Sequence, residues 1–289
     1  MKCCTALIVL NYNDYGTTSL FVKQVRNYSV IDKIVIVDNQ STDGSYNKLK
    51  NLEDEKVELI QTQSNGGYAS GNNYGAFYAM ENYKPEYLII ANPDIKIEEK
   101  SIKEMIEKGR SLDKLGIMSC KMICSSGVKL PIAWKLPNFW DCLKENFIIL
   151  SKLTGNKLEY PITYYDQEIK KVDAVPGSFF IISAEAFCDV GGFDPNTFLY
   201  YEENILGFRL KEQGYINYLF YQKTYDHLHS VSINKSFSSA QKRLEISQKS
   251  RKYYCDKYLR INKLQKALLD ASFVIGIMNY KVACWLLRK

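Results

Sequence analysis

The chain has 289 residues, 46% of them hydrophobic and 24% charged, which excludes a disordered or fibrous chain and leaves room for one large α/β domain with extensions. Its net charge of +6 is uneven: from Lys242 to the end, twelve Lys or Arg face three acids, a surplus of +9. That charge lies in one tail and no nucleic-acid motif accompanies it, so no nucleic-acid partner is expected.

The eight cysteines form no CxxC pair, and Cys120 and Cys124 have no nearby His or Cys, so a zinc site is not expected and the thiols read as reduced. The apolar run at 6–10 is too short for a signal peptide, and a cytoplasmic location is expected.

In chain order, strands are predicted at 6–10, 33–38 (KIVIVD), 57–61, 87–92 and 116–122. Helices are predicted between them at 16–27, 45–52, 72–82 and 100–108. Continuous apolar strands alternating with helices imply a parallel sheet covered on both faces. Residues 123–170, with Pro131, Pro137 and Pro161, read as an irregular connection suited to an acceptor groove. Strands at 171–175 and 178–183, helices at 184–190 and 202–213, and a strand at 215–221 follow. The last 50 residues read as helical and basic. They fit either a helix docked on its own domain or a contact with an anionic membrane surface.

Open α/β sheets bind ligands beyond the carboxyl ends of their strands. That rule gathers the loops at 11–15, 38–45, 64–73 and 92–94. Asp38 ends a buried strand, where a carboxylate suits a base N–H or a ribose hydroxyl. Asn65-Gly66-Gly67 and Gly71-Asn72 form a glycine-rich loop before a helix, which fits both backbone approach to phosphate and an ordinary turn. Asp94 in Asn92-Pro93-Asp94 suits a hard cation, or simply caps a turn. Glu202 and Glu203 open a helix, a position favoured by the helix dipole and equally suited to a general base. The two histidines of the chain, His227 and His229, alternate beside Asp226 and share one face of an extended segment.

Taken together and in this order, LIVLNYN (7–13), IVDNQSTDGS (36–45), NGGYASGNN (65–73), ANPD (91–94), GSFFIISAEAFCDVGGFD (177–194), FLYYEE (198–203) and HLHSVS (227–232) resemble the family-2 glycosyltransferases of GT-A fold. The resemblance is to the rhamnosyltransferase-like members that build bacterial capsule, O-antigen or other surface polysaccharide. It implies a Rossmann-like, mostly parallel central sheet flanked by helices, with a helical C-terminal extension. The expected division is a transferase domain at 1–235, its nucleotide-binding half at 1–122 and its acceptor half at 123–235, followed by a basic extension at 236–289.

The resemblance also implies inverting transfer from a UDP-, dTDP- or GDP-sugar to a saccharide or lipid-linked acceptor. Asn11, Asn13, Asp38, Asn65, Gly66, Gly67, Asn72, Asn92 and Asp94 would hold the nucleotide-sugar. Asp94 would bind Mn²⁺ or Mg²⁺, with His227 or His229 beside it. Glu203, or Glu202, would be the base. Asn92 replaces the first acid of the family's DxD motif, Glu203 replaces an Asp, and Ile205 stands where many relatives carry another acid. A sugar-phosphate nucleotidyltransferase is disfavoured because no basic residue follows the first strand; a non-catalytic binding subunit is the other alternative. No G-x-G-x-x-G follows the first strand, which argues against a dinucleotide-binding enzyme.

Overall fold

The computed structural model describes residues 4–124, 130–147, 158–228 and 240–286. Strands β1 (Thr5–Asn11), β2 (Lys33–Asp38), β3 (Val57–Gln61) and β4 (Tyr87–Ala91) lie in the order β3-β2-β1-β4, all parallel. Helices α1 (Tyr15–Val25), α2 (Ser45–Leu49) and α3 (Gly67–Tyr83) connect them. Side chains alternate along each strand, and both faces are buried. Leu7, Val9, Ile34 and Ile36 pack with Phe21 and Val22 of α1. Ala6, Ile8, Val35 and Val37 pack with Ala69, Ala76 and Ala79 of α3. Burial on both faces is why these strands read as unbroken apolar runs.

The parallel run ends at β4. The sheet continues through β8 (Phe179–Ser183), β6 (Leu115–Cys124), β9 (Ile216–His227) and the two-residue β5 (Ile95–Lys96), while β7 (Ile169–Val172) pairs with β9. β8 is antiparallel to both β4 and β6, and β6 is parallel to β9. The second half of the sheet is therefore mixed. Helix α4 (Glu99–Gly109) buries Ile102, Met105 and Ile106 against it.

β7 lies two to three residues before the strand expected at 171–175 and β5 was not expected; three further elements differ in ways that bear on the site. α3 begins at Gly67, five residues earlier than expected, because its glycines form the helix face against the sheet. A Cβ at Gly75 would lie 2.4 Å from Val37 Cγ2. β9 runs to His227 through a register shift opposite Cys120/Lys121, six residues past the expected end. Helix α5 (Phe139–Lys144) occupies part of the segment expected to be irregular, started by a capping box between Asn138 and Asp141.

Helices α6 (Ala184–Asp189) and α7 (Glu202–Glu212) cover the second face. α8 (Ala240–Lys257) and α9 (Lys263–Leu286) form the C-terminal helices. They share a separate core with α5 and α7: Phe139, Cys142, Tyr201, Ile205, Tyr254, Cys255 and Leu269. Among the described residues, Cys120, Cys142 and Cys255 are buried free thiols and Cys188 is exposed. No described helix is long and apolar enough to cross a membrane.

Leu269 is fully buried in the core that joins α9 to the rest. Leu269→Ala is expected to cost about 2–5 kcal/mol and to lower one cooperative thermal transition. A separate early transition, with the remainder melting unchanged, would show that the C-terminal helices fold apart.

Candidate active site

At the carboxyl end of the parallel strands, Asn11 and Asp38 stand side by side in register, both fully buried. Asn11 Nδ2 donates to Asp38 Oδ1 at 2.8 Å, and its Oδ1 accepts from Thr18 Oγ1 at 2.8 Å. Asp38 Oδ2 accepts from the Ser41 amide at 3.0 Å and from Gln61 Nε2 at 2.9 Å. Three donors thus compensate a carboxylate removed from water. Asn13, at φ 51°, ties the first loop to the second: its amide donates to Ser41 Oγ and its side-chain oxygen accepts from the Thr42 amide.

The next residue, Asn39, spans to the third loop. Its Nδ2 donates to Asn65 Oδ1 at 3.0 Å and to the Gly67 carbonyl at 3.1 Å. Asn65 Oδ1 also caps the Gly67 amide at 3.0 Å. Gly67 has φ +83°, and a Cβ there would sit 2.1 Å from the Phe198 carbonyl oxygen. Only glycine fits, and the following amide, Tyr68 N, donates to that same carbonyl at 3.0 Å.

These loops form one wall of a cavity of about 600 Å³. Asn39, Asn65, Gly67, Tyr68, Asn92 and Pro93 line it on that side, and Gly177, Phe198, Tyr200, Glu202, Glu203 and His227 line it on the other. Leu130 is lined into it from the 123–170 segment, and Lys242 from α8.

Asp94 is buried just after β4, and its Oδ1 lies 3.3 Å from His227 Nε2. The short β5–β9 pairing sets this approach, with Ile95 opposite His227. The carboxylate supplies a hard oxygen donor and the imidazole a borderline nitrogen donor; among the described residues no group of three or more His, Cys, Asp or Glu gathers to hold a metal. The donor set therefore fits a cation that takes its remaining ligands from a bound diphosphate and water. His229 lies outside the described residues.

Glu202 and Glu203 begin α7 directly after two residues in left-handed backbone, Tyr200 (φ 71°) and Tyr201 (φ 70°). Such conformations cost about 1–3 kcal/mol each for non-glycine residues and persist only where the surroundings enforce them. Here the enforcement is visible. Ser250 Oγ of α8 holds the Leu199 carbonyl at 2.8 Å, and Tyr201 OH donates to Glu145, which Arg251 grips at 2.6 Å.

The two acids differ in environment. Burial, then the neighbouring Glu203, pushes the Glu202 carboxyl well above the usual carboxylate range, and its buried Oε2 has no hydrogen-bond partner. Burial also raises Glu203, but its Oε1 accepts from the Gly177 amide at 3.2 Å, which favours the ionised form. Glu203 is the easier of the pair to ionise.

The structure brings Asn65, Gly67, Asn92, Glu202, Glu203 and His227 into one cavity lining. Asn11, Asn13 and Asp38 stand behind it as loop-holding residues. Gly66 caps α3. Asn72 does not reach the lining: it is buried on α3 and donates to the Tyr68 carbonyl at 3.0 Å. Sequence reasoning passed over Asn39, Tyr68 and Gly177. Asn39 sits inside the quoted IVDNQSTDGS segment, and its position beyond the strand end was the available signal. Nothing local marked Tyr68, whose hydroxyl donates to the Gly177 carbonyl 109 residues away.

A parallel sheet with polar loops at its carboxyl edge, a carboxylate at a strand end and an acid pair across the cleft define an α/β protein with a polar cavity at its strand ends. The chain belongs to glycosyltransferase family 2: the family model described as "Glycosyl transferase family 2" matches residues 6–165. It is similar to a low-salt glycan biosynthesis hexosyltransferase of Haloferax volcanii, 24% identical over 210 residues, covering 72% of this chain and 62% of that one. It is also similar to an N-acetylglucosaminyl-diphospho-decaprenol L-rhamnosyltransferase of Mycobacterium tuberculosis, 24% identical over 195 residues, covering 64% of this chain and 62% of the relative. The chain thus spans less than two thirds of the length of these relatives. Its fold matches a mannosyltransferase from Pyrobaculum calidifontis solved with GDP-Man and Mn²⁺, at TM-score 0.57 and 14% identity, covering 95% of this chain and 70% of that one. The fold is GT-A.

Gly67→Ala is expected to destabilise the protein by about 2 kcal/mol or more, since it combines strain with a backbone clash. Gly16→Ala, with nothing within 4 Å of its Cβ, should leave stability unchanged or raise it by about 0.4–1 kcal/mol. Denaturant unfolding of both variants checks the contrast; equal effects would remove the argument for close approach at Phe198.

Proposed function

We propose that the protein is an inverting glycosyltransferase. It moves a sugar from a nucleoside-diphosphate donor (UDP-, dTDP- or GDP-linked) to a saccharide or lipid-linked saccharide during synthesis of a bacterial surface polysaccharide. It would work at the cytoplasmic face of a membrane, reached through its basic C-terminal helices. The observation that carries this reading is one cavity whose lining joins Asn39, Asn65 and Asn92 on the nucleotide side to His227, Glu202 and Glu203 on the other. Family membership supports it, as does the lipid diphosphate in the name of the mycobacterial relative.

In this reading the nucleotide lies along the loops that Asn11, Asn13 and Asp38 hold, against Asn65, Gly66 and Gly67. Asp94 and His227 would hold Mn²⁺ or Mg²⁺. When bound, the cation supplies charge stabilisation to the departing diphosphate. Glu203, ionised, accepts the proton of the acceptor hydroxyl. That oxygen bonds to the anomeric carbon from the face opposite the diphosphate, whose C–O bond breaks and whose oxygen keeps the electron pair. Inversion follows from that geometry. Glu202, buried beside it and the harder of the two to ionise, limits the negative charge in the pair.

The test is a screen of UDP-, GDP- and dTDP-sugars with Mn²⁺ or Mg²⁺, following release of nucleoside diphosphate and the glycosylated acceptor. Release and transfer from one donor, abolished by EDTA and reduced about 10²-fold in Asp94→Ala, would support the reading. No release and no saturable binding to any donor would overturn it. Glu203→Gln is expected to lower kcat about 10²–10⁴-fold, and Glu202→Gln much less. Full activity in both would remove the acid pair from the chemistry.

A pH prediction follows from the raised Glu203. The base works ionised, so kcat/KM should fall as pH drops through its pKa, and burial moves that acid limb above the usual carboxylate range. A limb at the ordinary value of an exposed Glu, or none below neutrality, would contradict the buried-base assignment.

A further inference from the structure

Helix α9 packs on the rest of the molecule by one side only. Leu269, Ser272 and Gly276 face inward, where Ser272 Oγ accepts from Asn146 Nδ2 at 2.8 Å and the Phe273 carbonyl accepts from Gln248 Nε2 at 3.3 Å. These contacts fix the rotation of the helix. The opposite side carries Leu264, Ala267, Leu268, Ala271, Val274, Ile275 and Met278, all exposed and all apolar. Leu264, Val274 and Met278 are 70%, 59% and 60% exposed. The spacing of these positions keeps them on one stripe for about 21 Å. No charged residue interrupts it. Scattered exposed apolar side chains are ordinary, but a continuous stripe of this length needs an occupant.

We propose that this outer face of α9 docks on an anionic lipid surface. The charge of this part of the chain selects that occupant. From Arg260 to the end of the chain, six Lys or Arg stand against one acid, Asp270. Lys263 and Lys266 are exposed on the first turn, immediately beside the stripe. An apolar face flanked by basic residues is the composition of a helix that lies in the headgroup layer, and each basic residue near an anionic surface adds to the attraction. A second copy of the chain would bring two equally basic helices together, and like charges in such an interface oppose pairing. The helix lies on the surface rather than through it, since no described helix can cross a membrane.

The docking stands on the α9 face alone; its use rests on the transferase reading. α9 packs on α8, and α8 both contributes Lys242 to the cavity lining and holds the Leu199 carbonyl next to the acid pair. Docking would thus set the cavity at a fixed height above the lipid layer, within reach of a lipid-linked acceptor.

The experiment is co-sedimentation of the full chain, without donor, with vesicles of phosphatidylcholine alone or mixed with phosphatidylglycerol. The expected result is binding at least about tenfold stronger to the anionic vesicles, weakened by high salt. L268E/I275E should lower it by about tenfold or more, while L20E, which charges another exposed leucine on α1 (72% exposed), should leave it unchanged. Circular-dichroism melting verifies that both variants fold. Equal vesicle binding by the wild type and L268E/I275E would overturn the proposal. So would a wild-type dimer, without vesicle affinity, that L268E/I275E turns into a monomer, because a second copy would then be the occupant. Donor turnover by the soluble enzyme is measured separately, so loss of docking and failure of the transferase reading give different results.

Discussion

The hydrogen bond between Asn11 and Asp38 sits where four strands end, and the three surrounding loops take their shape from this pair. A carboxylate with no exposure is costly unless it is surrounded by donors, and Asp38 has three: the Asn11 amide, the Gln61 amide and the Ser41 backbone N–H. Each donor belongs to a different segment. Satisfying one buried charge therefore fixes the first strand, the second loop and the third strand relative to each other. The Asn39 amide, donating to the Asn11 carbonyl at 2.8 Å, then aims its own side chain at Asn65 and the start of α3. This side of the cleft is built outward from that point.

The opposite side depends on a different device. Tyr200 and Tyr201 adopt backbone angles that a tyrosine avoids, and they do so just before the two acids. The C-terminal helices hold them there, through Ser250, through Arg251 with Glu145, and through the shared apolar core. The basic tail is thus part of the scaffold for the acid pair, and its inward side is occupied by that role.

The sheet was legible because strands buried on both faces leave unbroken apolar runs such as KIVIVD. The convergence of Asn65 and Asn92 was legible because strand ends in such sheets converge, whereas Glu202 and Glu203 open a helix and were tied to the site only through the family resemblance. What escaped reading has physical causes. Gly67 and Gly71 look like a flexible loop in sequence, yet both belong to α3: Gly67 meets the Phe198 backbone across the cleft, and Gly71, with Gly75, faces the sheet, where larger side chains would collide with Leu10, Ile8 and Val37. The end of β9 was hidden because a register shift beside β6 breaks the alternation that marks a strand. The roles of Tyr68 and Gly177 rest on contacts more than a hundred residues apart in the chain, and no local pattern encodes them.

The approach of Gly67 to Phe198 has a mechanical consequence. The backbone of one wall is hydrogen-bonded to the backbone of the other through Tyr68 N and the Phe198 carbonyl, with no side chain between them to act as a spacer. A further bond, from Tyr68 OH to the Gly177 carbonyl, crosses nearby. Together these two bonds set the spacing of the walls where they meet, so a side chain added at Gly67 would widen the slot itself rather than fill space within it.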